Sequence, residues 1–447
     1  MAANNSGEKI GLRPLLIYAQ GQGSLNLCST LLALHLLYFY TDRMALSATL
    51  AGIALFAALT LDALTDPLMG NISDRARFKS GRRRPFFIAA LPMAICYYLL
   101  LAPPAGVNLF VWLFCFDFLM LTARKVYETA YGALMPELTL DYDERTRLAA
   151  LRQMCGTVGD VSGALLPFAA AYFFSRGTDF KAAGAICAIA AAGGALLAYL
   201  GLRERPEFSA LESSRLGPAM KAAMANRPFI ILLLATGFAV MAINFPTVLL
   251  RFIAKYWLHD DDAAARMLGA YFAGGIVSYP FWMKIGGRVE KKQAFVGALA
   301  CNALASLTFM AVTPENIRII MFLMAFSGFS AIGMWIAQMS SSADVIEWDE
   351  ERTGQRQEGA YAGLISMSIK LSAAVAILLI GPMLNWIGYR PGMAALTPAA
   401  ESNLRLLFAI VPAVIYSMGA LVFMRYPITR DMHFEMRQRL ATRNAPA

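Results

Sequence analysis

The chain has 447 residues, 58% hydrophobic and only 15% charged, with a mean hydropathy of +0.52. A soluble domain carries closer to about a quarter charged residues, so this balance excludes an ordinary soluble globular protein. The net charge of +9 does not make a nucleic-acid binder, because the charges fall in short blocks between apolar runs and no aromatic–basic groove is legible.

The first thirteen residues are polar and lack the basic start, short apolar core and cleavage site of a signal peptide, so the first span is expected to be retained. Apolar runs follow near 14–40, 45–70, 85–105, 108–135, 150–175, 182–202, 228–254, 266–286, 293–312, 317–343, 359–386 and 403–425. They predict an all-α polytopic membrane protein of twelve transmembrane helices. At roughly 20–25 residues per span, these use up the chain and leave no separate soluble domain. An even number of spans puts both termini on one side. Lys and Arg number 26 on that side and 9 on the other, with Arg124, Lys125, Arg152 and Lys370 inside spans. That asymmetry predicts a multi-pass protein of the plasma (inner) membrane with both termini cytoplasmic.

The longest polar stretch after the N-terminus, 203–227, reads as a cytoplasmic linker between a six-helix bundle at 1–202 and a second at 228–447 that ends in a cytoplasmic tail. An internal echo supports two halves. The second run ends in Gly70, then Asp74-Arg75 and Arg82-Arg83-Arg84; the eighth ends in Gly286-Gly287, then Arg288 and Lys291-Lys292. Parallel repeats of this kind build one large class of transporters.

Charges inside the runs are the functional signal, because an ionised group in the bilayer costs several kcal/mol unless it faces water, an ion or a partner. Asp62 and Asp66, four apart, share one helical face. A cation bound between them, a proton on one of them, or a structural salt bridge to another span would each satisfy that face. The fourth run carries Asp117, Arg124, Lys125, Glu128 and Tyr131, and Glu128 is spaced to pair locally with Arg124 or Lys125. The first run presents Gln22, Asn26, Ser29 and Thr30 on one face. Asp160 is expected to find a basic partner across the bundle, and the lone His35 reads as packing or a hydrogen bond. The six cysteines lie inside apolar runs without metal-ligand spacing. No Ser-His-Asp set, phosphate-binding Gly-Lys loop or His/Cys cluster is legible, so neither an enzyme nor a built-in ATP drive is expected, and no cofactor.

The segment Gly70-Asn71-Ile72-Ser73-Asp74-Arg75 with Gly81-Arg82-Arg83-Arg84 resembles the loop signature of the major facilitator superfamily. Asp62-Ala-Leu-Thr-Asp66-Pro67-Leu-Met-Gly70 resembles the second span of the glycoside–pentoside–hexuronide:cation symporters. Met135-Pro136-Glu137-Leu138-Thr139, with Asp141 to Arg147 leading to Arg152, agrees in order and spacing. So does the stretch from Ala343-Asp344 through Gly354, Arg356 and Glu358-Gly359-Ala360-Tyr361 to Lys370. The resemblance thus covers nearly the whole chain.

The resemblance implies cation-coupled symport of a glycoside or related small solute by alternating access, with Na⁺ or H⁺ as coupling ion and a single chain as the working unit. Asp62, Asp66 and Glu128 would carry the cation, with Lys370 as their counter-charge. Asn26, Tyr131, Arg152 and Trp335 would bind the solute, and Asp74, Arg75, Asp344 and Arg356 would form a cytoplasmic gate. Four positions depart from the family pattern. Lys125 stands where the family has a hydroxyl near its ion, which puts an ammonium in the place of Na⁺ and shifts the expectation toward H⁺ or toward a transporter without strict ion coupling. Asn26 replaces the sugar-binding acid of the first span, and Leu25 and Leu59 replace basic residues. Two other readings stay open on the sequence: a lipid-like or other non-sugar cargo on the same fold, and a membrane sensor that does not transport.

Overall fold

A computed structural model of the chain describes residues 11–75, 84–138, 142–174, 179–202, 220, 223–285, 289–353 and 358–443. A helix stands at each of the twelve apolar runs. In the first half these are α1 (Leu12–Tyr38), α2 (Ala48–Arg75), α3 (Ala90–Leu101), α4 (Leu109–Ala133), α5 (Tyr142–Phe173) and α6 (Asp179–Gly201). In the second half they are α7 (Arg227–Phe252), α8 (Ala263–Ile285), α9 (Lys291–Thr308), α10 (Ile317–Thr353), α11 (Glu358–Trp386) and α12 (Pro398–Phe423). A thirteenth helix, α13 (Arg430–Arg443), follows at the C-terminus. Among the described residues, nine helices are long and apolar enough to cross a membrane on composition alone. The helix α4 is not one of them, because every 18-residue stretch of it holds at least three of the charges Asp117, Arg124, Lys125 and Glu128. The protein is an integral, multi-pass α-helical membrane protein.

Two compact units divide the chain, Met1–Ser214 and Arg215–Ala447. Within the first, α1 packs on α5 and α6, α2 on α4, and α3 on α4 and α6. Within the second, α7 packs on α11 and α12, α8 on α10, and α9 on α10 and α12. Adding six to each helix number of the first set reproduces the second, so the repeat hinted at by two Gly-and-basic loops is a repeat of packing.

Helix termini repeat as well. α1 runs on into a π turn, Phe39–Arg43, and α7 into another, Ile253–Trp257. Each ends in a residue of positive φ, Ala45 (58°) and His259 (52°). The backbone bonds match at one offset: Met44 N to Phe39 O and Leu46 N to Tyr40 O in the first unit, Leu258 N to Ile253 O and Asp260 N to Ala254 O in the second. A non-glycine residue in the left-handed region is uncommon; two at equivalent places mark a built feature of the repeat.

Small residues let the helices touch. A Cβ on Gly159 or Gly163 of α5 would run into the backbone of Gly23 or Leu27 on α1. On the other unit, a Cβ on Gly274 of α8 or Gly328 of α10 would strike the facing backbone. Small residues at interfaces are how helices gain dispersion contacts where lipid removes the hydrophobic drive. Polar ends are capped in the ordinary way: Asn108 accepts from Phe110 N and Val111 N ahead of α4, and Asn226 and Thr397 cap α7 and α12. Large apolar side chains such as Ile88, Phe322 and Trp386 point outward, as a lipid-facing surface requires.

Candidate functional site

The first unit holds two polar clusters. The first lies between α2 and α4. Asp62, Thr65 and Asp66 fall at i, i+3 and i+4 and therefore project from one face of α2. Lys125 of α4 reaches into that face. Its Nζ lies 2.7 Å from Asp62 Oδ1, 2.8 Å from Asp66 Oδ1 and 2.8 Å from Thr65 Oγ1, and it also donates to the Asp62 backbone carbonyl. An ammonium has three protons, and here all are engaged. Asp62 and Lys125 are buried, with side chains 3% and 6% exposed, while that of Asp66 is 17% exposed. Two carboxylates and one ammonium leave the group one negative charge in excess.

Lys125 thus supplies a positive charge to Asp62 and Asp66 from within the first unit. Lys370 itself sits half-buried on α11 of the second unit. Glu128 lies beside its own helix neighbour, 3.3 Å from Arg124 Nε. One turn separates the two residues, so local pairing is geometrically direct.

The second cluster runs along the α1–α5 seam. Arg152 Nε donates to Gln22 Oε1 at 2.9 Å, Gln22 Nε2 to Asn26 Oδ1 at 2.7 Å, and Asn26 Nδ2 to Asp160 Oδ2 at 3.1 Å. Thr30 Oγ1 donates to the other oxygen of Asp160 at 2.7 Å. Gln22, Asn26 and Thr30 are spaced four apart, which lines them along one face of α1, while Gly156 and Gly159 bring α5 close enough to be reached. Every member of this chain is half-buried. The sequence led to the expectation of a basic partner for Asp160; among the described residues it forms no salt bridge, and two neutral donors of α1 hold it. Ser29 leaves the row, turning back to the Leu25 carbonyl. His35 does hydrogen-bond, through Nε2 to the Ala164 carbonyl at 3.0 Å.

Tyr131 is fully buried rather than lining an opening. Its ring stacks on Tyr18 with centroids 4.7 Å apart, its hydroxyl donates to the Tyr18 carbonyl, and the Arg152 guanidinium lies 5.5 Å from its ring centroid and 5.8 Å from that of Tyr18. The two tyrosines form a platform beneath Arg152. Sequence reading missed Tyr18; its spacing four before Gln22 was the available signal.

In the second unit, Trp335 is half-buried on α10. Asp344, near the end of α10, binds Lys291 of α9 through both oxygens at 2.6 and 2.8 Å. His433 of α13 lies 3.3 Å from Asp344 and 3.0 Å from Glu347. The remaining gate expectations fall on Arg356 and on the side chains of Asp74 and Arg75, which lie outside the described residues and side chains. Among the described residues, no group of three or more His, Cys, Asp or Glu is placed to hold a metal ion.

Residues 17–430 match the MFS/sugar transport protein family. The chain belongs to that family. The transporter is 26% identical over 414 residues to a putative glycoside/cation symporter, YagG, of Escherichia coli, covering 88% of this chain and 87% of that one. It is 27% identical over 439 residues to a putative sulfoquinovose importer of the same organism (92% and 90%). It is 23% identical over 450 residues to the isoprimeverose transporter of Lactiplantibacillus pentosus (96% and 92%). Among solved structures, the nucleoside transporter NupG superposes with a TM-score of 0.68 at 15% identity, covering 93% of this chain and 99% of that one, a likeness that bears on fold alone.

Proposed function

We propose that this transporter couples the entry of a glycoside-type solute to the movement of protons, with Asp62, Asp66 and Lys125 as the coupling centre. The observation that carries the reading is the Lys125 ammonium held between the two carboxylates. A sodium ion bound to the same oxygens would sit about 4 Å or less from a fixed positive charge. At that distance like charges repel by about 4 kcal/mol at an effective dielectric of about 20. A proton meets no such obstacle: it neutralises the one excess negative charge by residing on Asp62 or Asp66, and its binding loosens Lys125 from that carboxylate. Family membership supplies the frame of alternating access, and the relatives' names supply glycosides as the solute class. Arg152, set on its tyrosine platform, and Asn26 orient the solute, with Trp335 offering an aromatic face for a sugar ring. Glu128 tunes the centre through Arg124, Lys370 contributes counter-charge, and the Asp74, Arg75, Asp344 and Arg356 set latches the cytoplasmic ends. The transporter lies in the inner membrane, termini inward, and works as a single chain.

The test is gradient-driven accumulation of labelled isoprimeverose and methyl glycosides by vesicles containing the purified protein. Accumulation under an imposed pH gradient, and none under a Na⁺ gradient alone, is the expected result. Failure to accumulate under either, across the panel, refutes the symport reading.

A further inference from the structure

We propose that Asp160 is a solute-binding acid that, with Arg152, selects neutral polyhydroxylated sugars over sulfonated or carboxylated ones; this rests on the symport reading above and narrows its solute.

Four observations carry it. Asp160 is half-buried rather than enclosed, and its two oxygens accept from the neutral groups Asn26 Nδ2 and Thr30 Oγ1. Each oxygen keeps further acceptor capacity, and the two bonds fix the carboxylate's orientation without cancelling its charge. The bonds also tie it through Asn26 and Gln22 to Arg152, eight residues earlier on the same helix and therefore about 12 Å along its axis. An acceptor and a donor are thus held in one rigid line. Lastly, a half-buried row of Gln22, Asn26, Thr30, Arg152 and Asp160 is too costly to face lipid, which leaves it to the interior of the bundle or a water-filled cavity, where a solute would bind.

The charge balance gives the specificity. Sugar hydroxyls both donate and accept, so a neutral glycoside can donate to Asp160 and accept from Arg152. A sulfonate or carboxylate could use Arg152 but would add a second negative charge to a row that already holds Asp160, which discriminates by repulsion. The surroundings point the same way. Among the intramembrane charges of α2, α4 and α5, the acids Asp62, Asp66, Asp117, Glu128 and Asp160 outnumber Arg124, Lys125 and Arg152. Arg124 of α4 is already beside Glu128, with Nε 3.3 Å from the carboxylate. The helices packed on α5 are α1 and α6. They carry ionisable side chains only toward their ends, Arg13 and His35 on α1 and Asp179 and Lys181 on α6, besides the thiols Cys28 and Cys187 and the phenols Tyr18, Tyr38 and Tyr199.

Equilibrium binding to the purified full chain tests this, with isoprimeverose as the neutral ligand and sulfoquinovose as the sulfonated one. The wild type should bind isoprimeverose at least about tenfold more tightly. Asp160→Asn should weaken isoprimeverose binding roughly ten- to hundredfold, the size expected for losing a charged hydrogen-bond partner, and leave sulfoquinovose binding unchanged or tighter. Asp160→Glu should keep the preference. Should Asp160→Asn not fold, Asn26→Asp, which adds a second carboxylate to the same row, should deepen the discrimination against sulfoquinovose. A wild type that prefers sulfoquinovose or binds neither sugar would overturn the proposal. So would an Asp160→Asn variant that loses both ligands alike or neither, or an Asn26→Asp variant with unaltered discrimination. Binding needs no ion gradient, so Asp160-dependent binding without proton-driven accumulation would defeat the coupling reading and leave this one standing.

Discussion

The α2–α4 cluster and the α1–α5 seam are both polar, both intramembrane and both within one six-helix unit, yet they are built on opposite plans. The first is closed: Lys125 is buried, its three protons are spent on Asp62, Thr65 and Asp66, and charge meets charge directly. The second is open: its members are half-buried, and Asp160 is held by an amide and a hydroxyl. A buried ion pair is costly to assemble and costlier to break, which suits a centre that changes state only when a proton arrives. Neutral hydrogen bonds around a half-exposed carboxylate are each worth about 1 kcal/mol net, which suits groups that exchange protein partners for a solute's hydroxyls. On the proposed reading, the two plans divide the work of a symporter between coupling and recognition.

The sharpest way to break this contrast is Lys125→Ala. It leaves Asp62 and Asp66 facing each other with no ammonium, and breaking a buried pair costs about 3–5 kcal/mol. The melting temperature of the purified protein should fall further than for any other substitution named here. Added Na⁺ should then raise it, an effect absent in the wild type, because the cation's place has been vacated.

Asp62→Asn and Asp66→Asn come next. Each leaves Lys125 one carboxylate and so removes the excess charge that takes the proton. Proton-driven accumulation should be lost while solute exchange at zero gradient persists. Because the Asp62 side chain is 3% exposed against 17% for Asp66, thermal unfolding should show the larger loss for Asp62→Asn.

A smaller effect is expected on the open seam. Asn26→Ala cuts the link between Asp160 and Gln22, and should weaken isoprimeverose binding by roughly five- to tenfold, about one hydrogen bond's worth. Combined with Asp160→Asn it should be less than additive, since both act on one chain of bonds. Smallest of all, Glu128→Gln removes an i,i+4 pair whose glutamate side chain is 40% exposed. Unfolding measurements should show a change of no more than about 0.5 kcal/mol.

Much of this architecture is written in local pattern. The twelve apolar runs each became a helix, because a continuous apolar stretch has no other way to satisfy its backbone in lipid. The departure at Lys125 was visible as an ammonium beside two acids, and the structure brings the three together. Legibility ends where partners are far apart in sequence. Asn26 and Asp160 are 134 residues apart, and nothing along either helix announces that Gly156 and Gly159 let α1 come near enough for them to bond. A charged partner was the obvious expectation for Asp160; the physical alternative, several neutral donors, depends on the register of two packed helices. The same holds for Tyr131, whose stacking partner Tyr18 lies 113 residues away in sequence. The matching π turns after α1 and α7 are invisible for a different reason: Phe39–Arg43 and Ile253–Trp257 share backbone geometry but almost no side chains.

The account stands or falls on whether Lys125 excludes the metal cation and leaves the proton. De-energised, lightly buffered vesicles containing the wild-type protein should answer it when isoprimeverose is added outside. The medium should turn alkaline as solute enters, to the same extent with and without Na⁺, and Asp62→Asn should abolish the change. Solute uptake without alkalinisation, or uptake that requires Na⁺, would contradict it.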